Sequence, residues 1–178
     1  MLLKGRDFKP APEGSHPAVC VDFVDLGLQK VEWKGVVKMR EKCRIVFEID
    51  ALMSDGRRFI VSSTFTSSLD TKGRLLPFLT SWRGKKFTAQ ELQGFDSESL
   101  IHVPALVQLV HNETANGTFA NIDSIMYPPK GTKRLEPAGD YIRIKDRPET
   151  VRPVAPPTTY HGDDQSGPFE DDLDSLPF

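Results

Sequence analysis

Cys43, Ile45, Phe47 and Ile49 fall on alternate positions, a spacing that turns side chains to one side only if the backbone is extended. The other phase of the same segment carries Lys38, Arg40, Lys42 and Arg44. Residues 38–52 therefore read as a strand with one face in a core and four cations on the other. A half-buried strand needs a sheet, and the flanking sequence supplies one. Val19, Val21 and Phe23 alternate within 18–28. Residues 57–67 follow the turn Ser54-Asp55-Gly56, a good hairpin signal.

The period then changes. Leu75, Leu76, Leu79 and Trp82 have helical spacing, with Pro77 restricted to a first turn or a kink, and Thr88-Ala89-Gln90-Glu91 has capping-box form. After Pro104, Ala105, Val107 and Leu109 alternate up to His111, and the turn Asn116-Gly117 leads into 119–126. Three strands, a helical insert and two strands is the order of the five-stranded OB barrel, an all-β fold with a helical insert. Another small antiparallel barrel or an α+β domain would share much of this pattern.

Charge divides the chain more sharply than its net value of −2 suggests. Residues 1–152 hold all 23 Lys and Arg against 19 acids, giving +4, whereas 153–178 hold six acids and no Lys or Arg. Such a split predicts a body that attracts polyanions and a detached acidic arm. Three prolines and Gly14 make 1–17 an irregular lead-in, and the barrel is expected over 18–127. Seven of the 14 prolines lie between 128 and 157 with few large aliphatics, so 128–162 reads as a linker, with one edge strand conceivable at Tyr141-Ile142-Arg143-Ile144. Residues 163–178 read as a disordered acidic tail.

No apolar run approaches the roughly 18 residues of a membrane span. The opening Met1-Leu2-Leu3-Lys4-Gly5-Arg6-Asp7 lacks a signal peptide's apolar stretch, so a cytoplasmic location is expected. Two cysteines, Cys20 and Cys43, are too few for a disulfide framework or a zinc site of Cys type and are expected to pack as small hydrophobes.

The row Lys38, Arg40, Lys42, Arg44 spans roughly 20 Å of strand, a length along which the phosphates of a single strand can run. A double helix would more often be read by a helix in its groove, and no helix here carries the charge for that. Lys34, Arg58, Lys85 and Lys86 can extend the track. Trp33 beside Lys34 in a polar loop, and Phe119 out of phase with Ala120 and Ile122, are candidate stacking platforms. Cations interleaved with aromatics are what sequence-independent single-strand binding requires. A charged row is also what a solvated strand face looks like, and Glu48 and Asp50 continue this one.

The chain ends Gly167-Pro168-Phe169-Glu170-Asp171-Asp172-Leu173-Asp174-Ser175-Leu176-Pro177-Phe178. This end resembles the tail of bacterial and phage single-stranded DNA-binding proteins, in which an OB domain and a flexible linker lead to acids closing on Pro-Phe. Its acids are interrupted by Leu173 and Ser175, and Leu176 stands where the bacterial tip usually has Ile. The body resembles the bacterial protein only in its element order and looks more like a phage-type relative. The resemblance implies a tip that recruits replication and repair proteins through Asp171, Asp172, Asp174, Leu176, Pro177 and Phe178. Independently of any family, a terminal Phe offers a ring and a carboxylate at one residue, a known mode of capture, and upstream acids would steer it to a basic surface.

Catalytic chemistry is not visible. No Walker-type glycine loop, Gly-x-Ser-x-Gly elbow or Cys–His ligand pair occurs, and Asp22 and Asp25, three apart, fall on opposite faces of a regular strand. The expectation is a non-enzymatic protein without cofactor or metal that coats single-stranded DNA. Phosphates would meet Lys34, Lys38, Arg40, Lys42, Arg44, Arg58, Lys85 and Lys86, with bases on Trp33 and Phe119. The alternative is an adaptor of the replication machinery that does not itself bind DNA. The sequence leaves the oligomeric state open, a homo-oligomer included.

Overall fold

The computed structural model describes residues 9–148. Five strands, β1 (Gly14–Trp33), β2 (Val36–Leu52), β3 (Arg58–Thr66), β4 (Pro104–Thr114) and β5 (Gly117–Met126), form one antiparallel sheet in the order β3-β2-β1-β4-β5. The outer strands β3 and β5 approach each other, so the sheet curls into an OB-like barrel. Between β3 and β4 the chain makes α1 (Leu75–Arg83), α2 (Ala89–Gln93) and a 3₁₀ turn at Ser97–Leu100.

The alternating residues of β2 do what their spacing dictates. Cys43, Ile45, Phe47 and Ile49 are buried with Ala18 and Cys20 of β1, Val61 and Phe65 of β3, and Ala105, Val107 and Leu109 of β4. Helix α1 closes this core with Leu75, Leu79 and Trp82. The Trp82 ring meets Phe47 edge-on at 5.2 Å between centroids, and its indole N–H donates to the Pro104 carbonyl at 3.0 Å. Pro77 lies in the first turn of α1, where its missing N–H costs no bond. The Thr88–Glu91 capping box starts α2.

Two strands run further than the alternation suggests. β1 begins at Gly14, inside the segment read as an irregular lead-in, and Ala11 before it is 4% exposed. The His111 backbone N–H donates to Glu13 at 2.8 Å, and its ring nitrogen Nε2 lies 2.6 Å from the Ala11 carbonyl. Toward its other end β1 continues to Trp33 through two register shifts, between Cys20 and Asp22 and between Asp25 and Gly27. Each shift inserts one residue that the partner strand does not match, which moves the following side chains to the other face. That is why plain alternation fades after Phe23 although the strand does not end. Gly27, at φ 64°, supplies the backbone that the second shift needs.

The segment read as a linker departs from that expectation over 128–148, which lies down on the outer face of the sheet. Leu135 is 3% exposed and packs with Val19, Val21, Val24 and Val46, flanked by Tyr141 and Ile144. Few aliphatics are needed here because the sheet itself supplies four valines. Polar anchors do the rest. Asp22, 1% exposed, accepts from the Tyr141 hydroxyl, Arg143 Nε and the Ile144 N–H, and Glu48 accepts from the Ala138 N–H. Ile144–Asp146 is a 3₁₀ turn and not an edge strand. The remainder of the linker reading and the tail 163–178 lie outside the described residues.

Candidate nucleic-acid interface

Residues that are partners across an antiparallel pair share a face, so the β1–β2 register defines one surface row by row. Trp33 faces Val36, Val31 faces Lys38, Gln29 faces Arg40, Gly27 faces Lys42 and Val24 faces Arg44. Trp33 therefore stands in phase with all four cations, at the tip of the row they form. Two residues connect the strands: Lys34 at φ 46° and Gly35 at φ 82°, both left-handed, as a tight hairpin turn requires. The turn holds the Lys34 ammonium 6.0 Å from the centre of the Trp33 ring, which is 41% exposed.

β3 pairs with β2 only from Lys42 onward. Residues 28–41 thus form a two-stranded ribbon that stands clear of the third strand, with Trp33, Lys38 and Arg40 on one side. Where β3 joins, it brings hydroxyls to the row. Lys42 Nζ donates to Thr66 Oγ1 at 3.1 Å, and Arg44 Nε to Thr64 Oγ1 at 3.4 Å. Lys42 is only 5% exposed, so it forms the floor of the row, while Lys38, Arg40 and Arg44 are half-buried. Beyond Arg44 the same face turns acidic, with Asp22 and Glu48 under the 128–148 segment. Glu48 Oε2 is buried with no hydrogen-bond partner among the described residues.

Trp33, Lys34, Lys38, Arg40, Lys42 and Arg44 come together; four other sequence candidates do not join them. Arg58 donates to the Glu136 carbonyl at 2.5 Å and lies 3.6 Å from Glu48, so it anchors the covering segment. Lys85 and Lys86 are exposed in the loop between α1 and α2, with the helical insert. Phe119, 36% exposed, pairs with Asn112 on the β4–β5 hairpin, and strands β1 and β4 separate it from β2. The tip residues Asp171, Asp172, Asp174, Leu176, Pro177 and Phe178 lie outside the described residues. Sequence reasoning missed Thr64 and Thr66. Both alternate onto the cation face of β3, but a register shift between Glu48 and Leu52 keeps the turn from showing which cation each one meets.

The helical insert has a concavity of its own, about 450 Å³, walled by Trp82, Phe87, Phe95, Leu100, Val103 and Tyr127. Arg83 covers Phe87, 4.5 Å from the ring centre, and bonds Glu91 at 2.6 Å. That bond, joined by the Thr88 backbone N–H, holds the Glu91 carboxyl down at about 2.

Among the described residues no three of His, Cys, Asp or Glu gather as a metal would need, and no helix is long and apolar enough to cross a membrane. No known protein family and no curated protein matches the chain.

Proposed function

We propose that this chain binds single-stranded DNA without regard to sequence, by non-covalent contacts along the face that runs from Trp33 to Arg44. The observation that supports this reading best is the phase of Trp33. One indole at the tip of a row of cations, on a ribbon open to solvent, offers a π-face for a base and charges for the phosphates that follow it. Thr64 and Thr66 add hydroxyls at the row's inner end. No base-specific donor pattern is needed, and such contacts position a strand without reading it.

The acidic tip completes the proposal. With the body on DNA, Asp171, Asp172, Asp174, Leu176, Pro177 and Phe178 would recruit replication or repair proteins, in the cytoplasm of a bacterial cell and at replicating DNA, in a phage-type role. What supports this is the resemblance of the tail together with its chemistry, an aromatic ring behind a run of acids that would steer it to a basic surface.

The test is oligonucleotide binding by a Lys38→Ala, Arg40→Ala double variant. Both side chains lie on the ribbon, away from the core, so the variant is expected to fold. Loss of two phosphate contacts should flatten the slope of log affinity against log salt by about 1.4. An adaptor that does not bind DNA would show no oligonucleotide binding in either form and would keep its protein partners.

A further inference from the structure

We propose that the back of the ribbon, the face turned away from Trp33 and the cations, is the contact surface for a second copy of this chain. The register assigns that face. From Gly27 to Trp33 the pairing of β1 with β2 runs without a shift, so successive rows alternate between the two faces. Rows Val31–Lys38 and Gln29–Arg40 belong to the cation face, whereas Leu28–Glu41, Lys30–Met39 and Glu32–Val37 belong to the back. All six of these back-facing residues are exposed, Leu28 by 62%, Met39 by 57% and Val37 by 47%. Leu28 is diagonal to Met39, and Val37 is two positions from Met39 on the same strand, so the three make one apolar stripe. A two-stranded ribbon has no core of its own and is marginal until a face of it packs against something. This one extends past both neighbours, since β3 joins at Lys42 and β4 pairs with β1 over Gly14–Val19.

The charges say what covers the stripe. Lys30 stands against two acids, Glu32 and Glu41, so the back repels a polyanion and is not a second track for nucleic acid. The same charges complement themselves. Lay two ribbons back to back on a twofold axis that crosses the strands midway between the rows Lys30–Met39 and Glu32–Val37. Each Lys30 then meets the Glu32 of the other copy, and each Met39 meets its Val37. Moving the axis onto either row sets Lys30 on Lys30 or Glu32 on Glu32, and turning it along the strands sets Lys30 on Met39. Charge pairing therefore selects one antiparallel arrangement, with the two ribbons about 10 Å apart. Six side chains a copy are few beside the roughly 20–30 of a standard interface, so the dimer is weak and depends on concentration. The cation face stays open in both copies, and the contact does not depend on what that face binds.

The experiment is sedimentation velocity of the full chain, without DNA, over about 5–500 µM, where an interface of this size should populate a dimer. The sedimentation coefficient should rise from that of a monomer toward that of a dimer. Lys30→Glu and Glu32→Lys should each weaken self-association about tenfold, because each sets like charges opposite one another in both symmetric contacts. An equimolar mixture of the two variants should associate as the wild type does, since positions 30 and 32 then carry opposite signs across both contacts. Met39→Ser should weaken the dimer as well, and Lys38→Ala, on the other face, should leave it unchanged. Lys30, Glu32 and Met39 are exposed, so these variants are expected to fold, and recovery in the mixture shows that the charge variants do. A chain that stays monomeric over the whole range would overturn the proposal. So would a dimer that neither charge reversal weakens, or a mixture that associates no better than its components.

Discussion

Arg143 Nε donates to the Asp22 carboxylate at 3.2 Å, a bond between residues 121 positions apart. It joins a proline-rich segment that composition marks as unstructured to the middle of the longest strand. The Asp22 side chain is 2% exposed and also accepts from the Tyr141 hydroxyl and the Ile144 N–H, so one buried acid gathers three donors of residues 141–144. Removing it would leave the Tyr141 hydroxyl, the Ile144 N–H and Arg143 Nε without that acceptor, with Arg143 still held by Glu98.

An Asp22→Ala variant should accordingly lose about 2–4 kcal/mol of unfolding free energy, the range for breaking a buried, hydrogen-bonded charge pair. Urea denaturation measures it, and limited proteolysis should cut within 128–148 faster in the variant. A loss below about 1 kcal/mol, with proteolysis unchanged, would mean that the valines hold the segment without Asp22.

Acid should loosen the same attachment. The Arg143 fork, with Lys145 assisting, holds the Glu98 carboxyl down at about 2 from its ordinary 4.5, and the Arg83 bond does the same for Glu91. Both groups are more acidic folded than unfolded, so their contribution is present above pH 4.5 and is lost as pH falls from 4.5 toward 2. Urea midpoints of the wild type should fall across that window. A Glu91→Gln, Glu98→Gln variant should start lower and fall less, and parallel curves would contradict the assignment.

Thiol chemistry reports on the core. Burial pushes the Cys20 thiol up to about 12, and burial likewise raises Cys43. A thiol reagent at about pH 8 should leave both unmodified in the folded chain and label both at once in urea. Prompt labelling of either under native conditions would place it outside the core.

The two aromatic candidates should behave differently. Trp33→Ala should weaken oligonucleotide binding by about 1–3 kcal/mol, the worth of one stacked base. Phe119→Ala should leave it within about twofold, because β1 and β4 lie between that residue and the cation row. Equal losses would move the interface onto the β4–β5 hairpin.

What was legible in the sequence followed the periodicity. Cys43 to Ile49, Leu75 to Trp82 and Ala105 to Leu109 each repeat with one period against one core, and they mark β2, α1 and β4. The cation row was legible for the same reason, being the other phase of β2. β1 was harder, because its two register shifts each reverse the phase, and a strand whose inward face changes twice does not look like one. The covering segment was illegible because its stability lies in its partners. Leu135 is its one deeply buried aliphatic, and the valines it packs against lie 89 to 116 positions earlier. Asp22 gave no hint of its role either, since a lone acid in a strand pattern reads as an exposed residue.

The most direct test of the central claim is the tryptophan fluorescence of the purified chain titrated with poly(dT) at low and at moderate salt. Trp33 is exposed and Trp82 is 2% exposed in the core, so a stacked base should quench the first and not the second. Quenching should need more poly(dT) as salt rises and should disappear in a Trp33→Phe variant. Binding indifferent to salt, or no quenching at any salt, would contradict the claim.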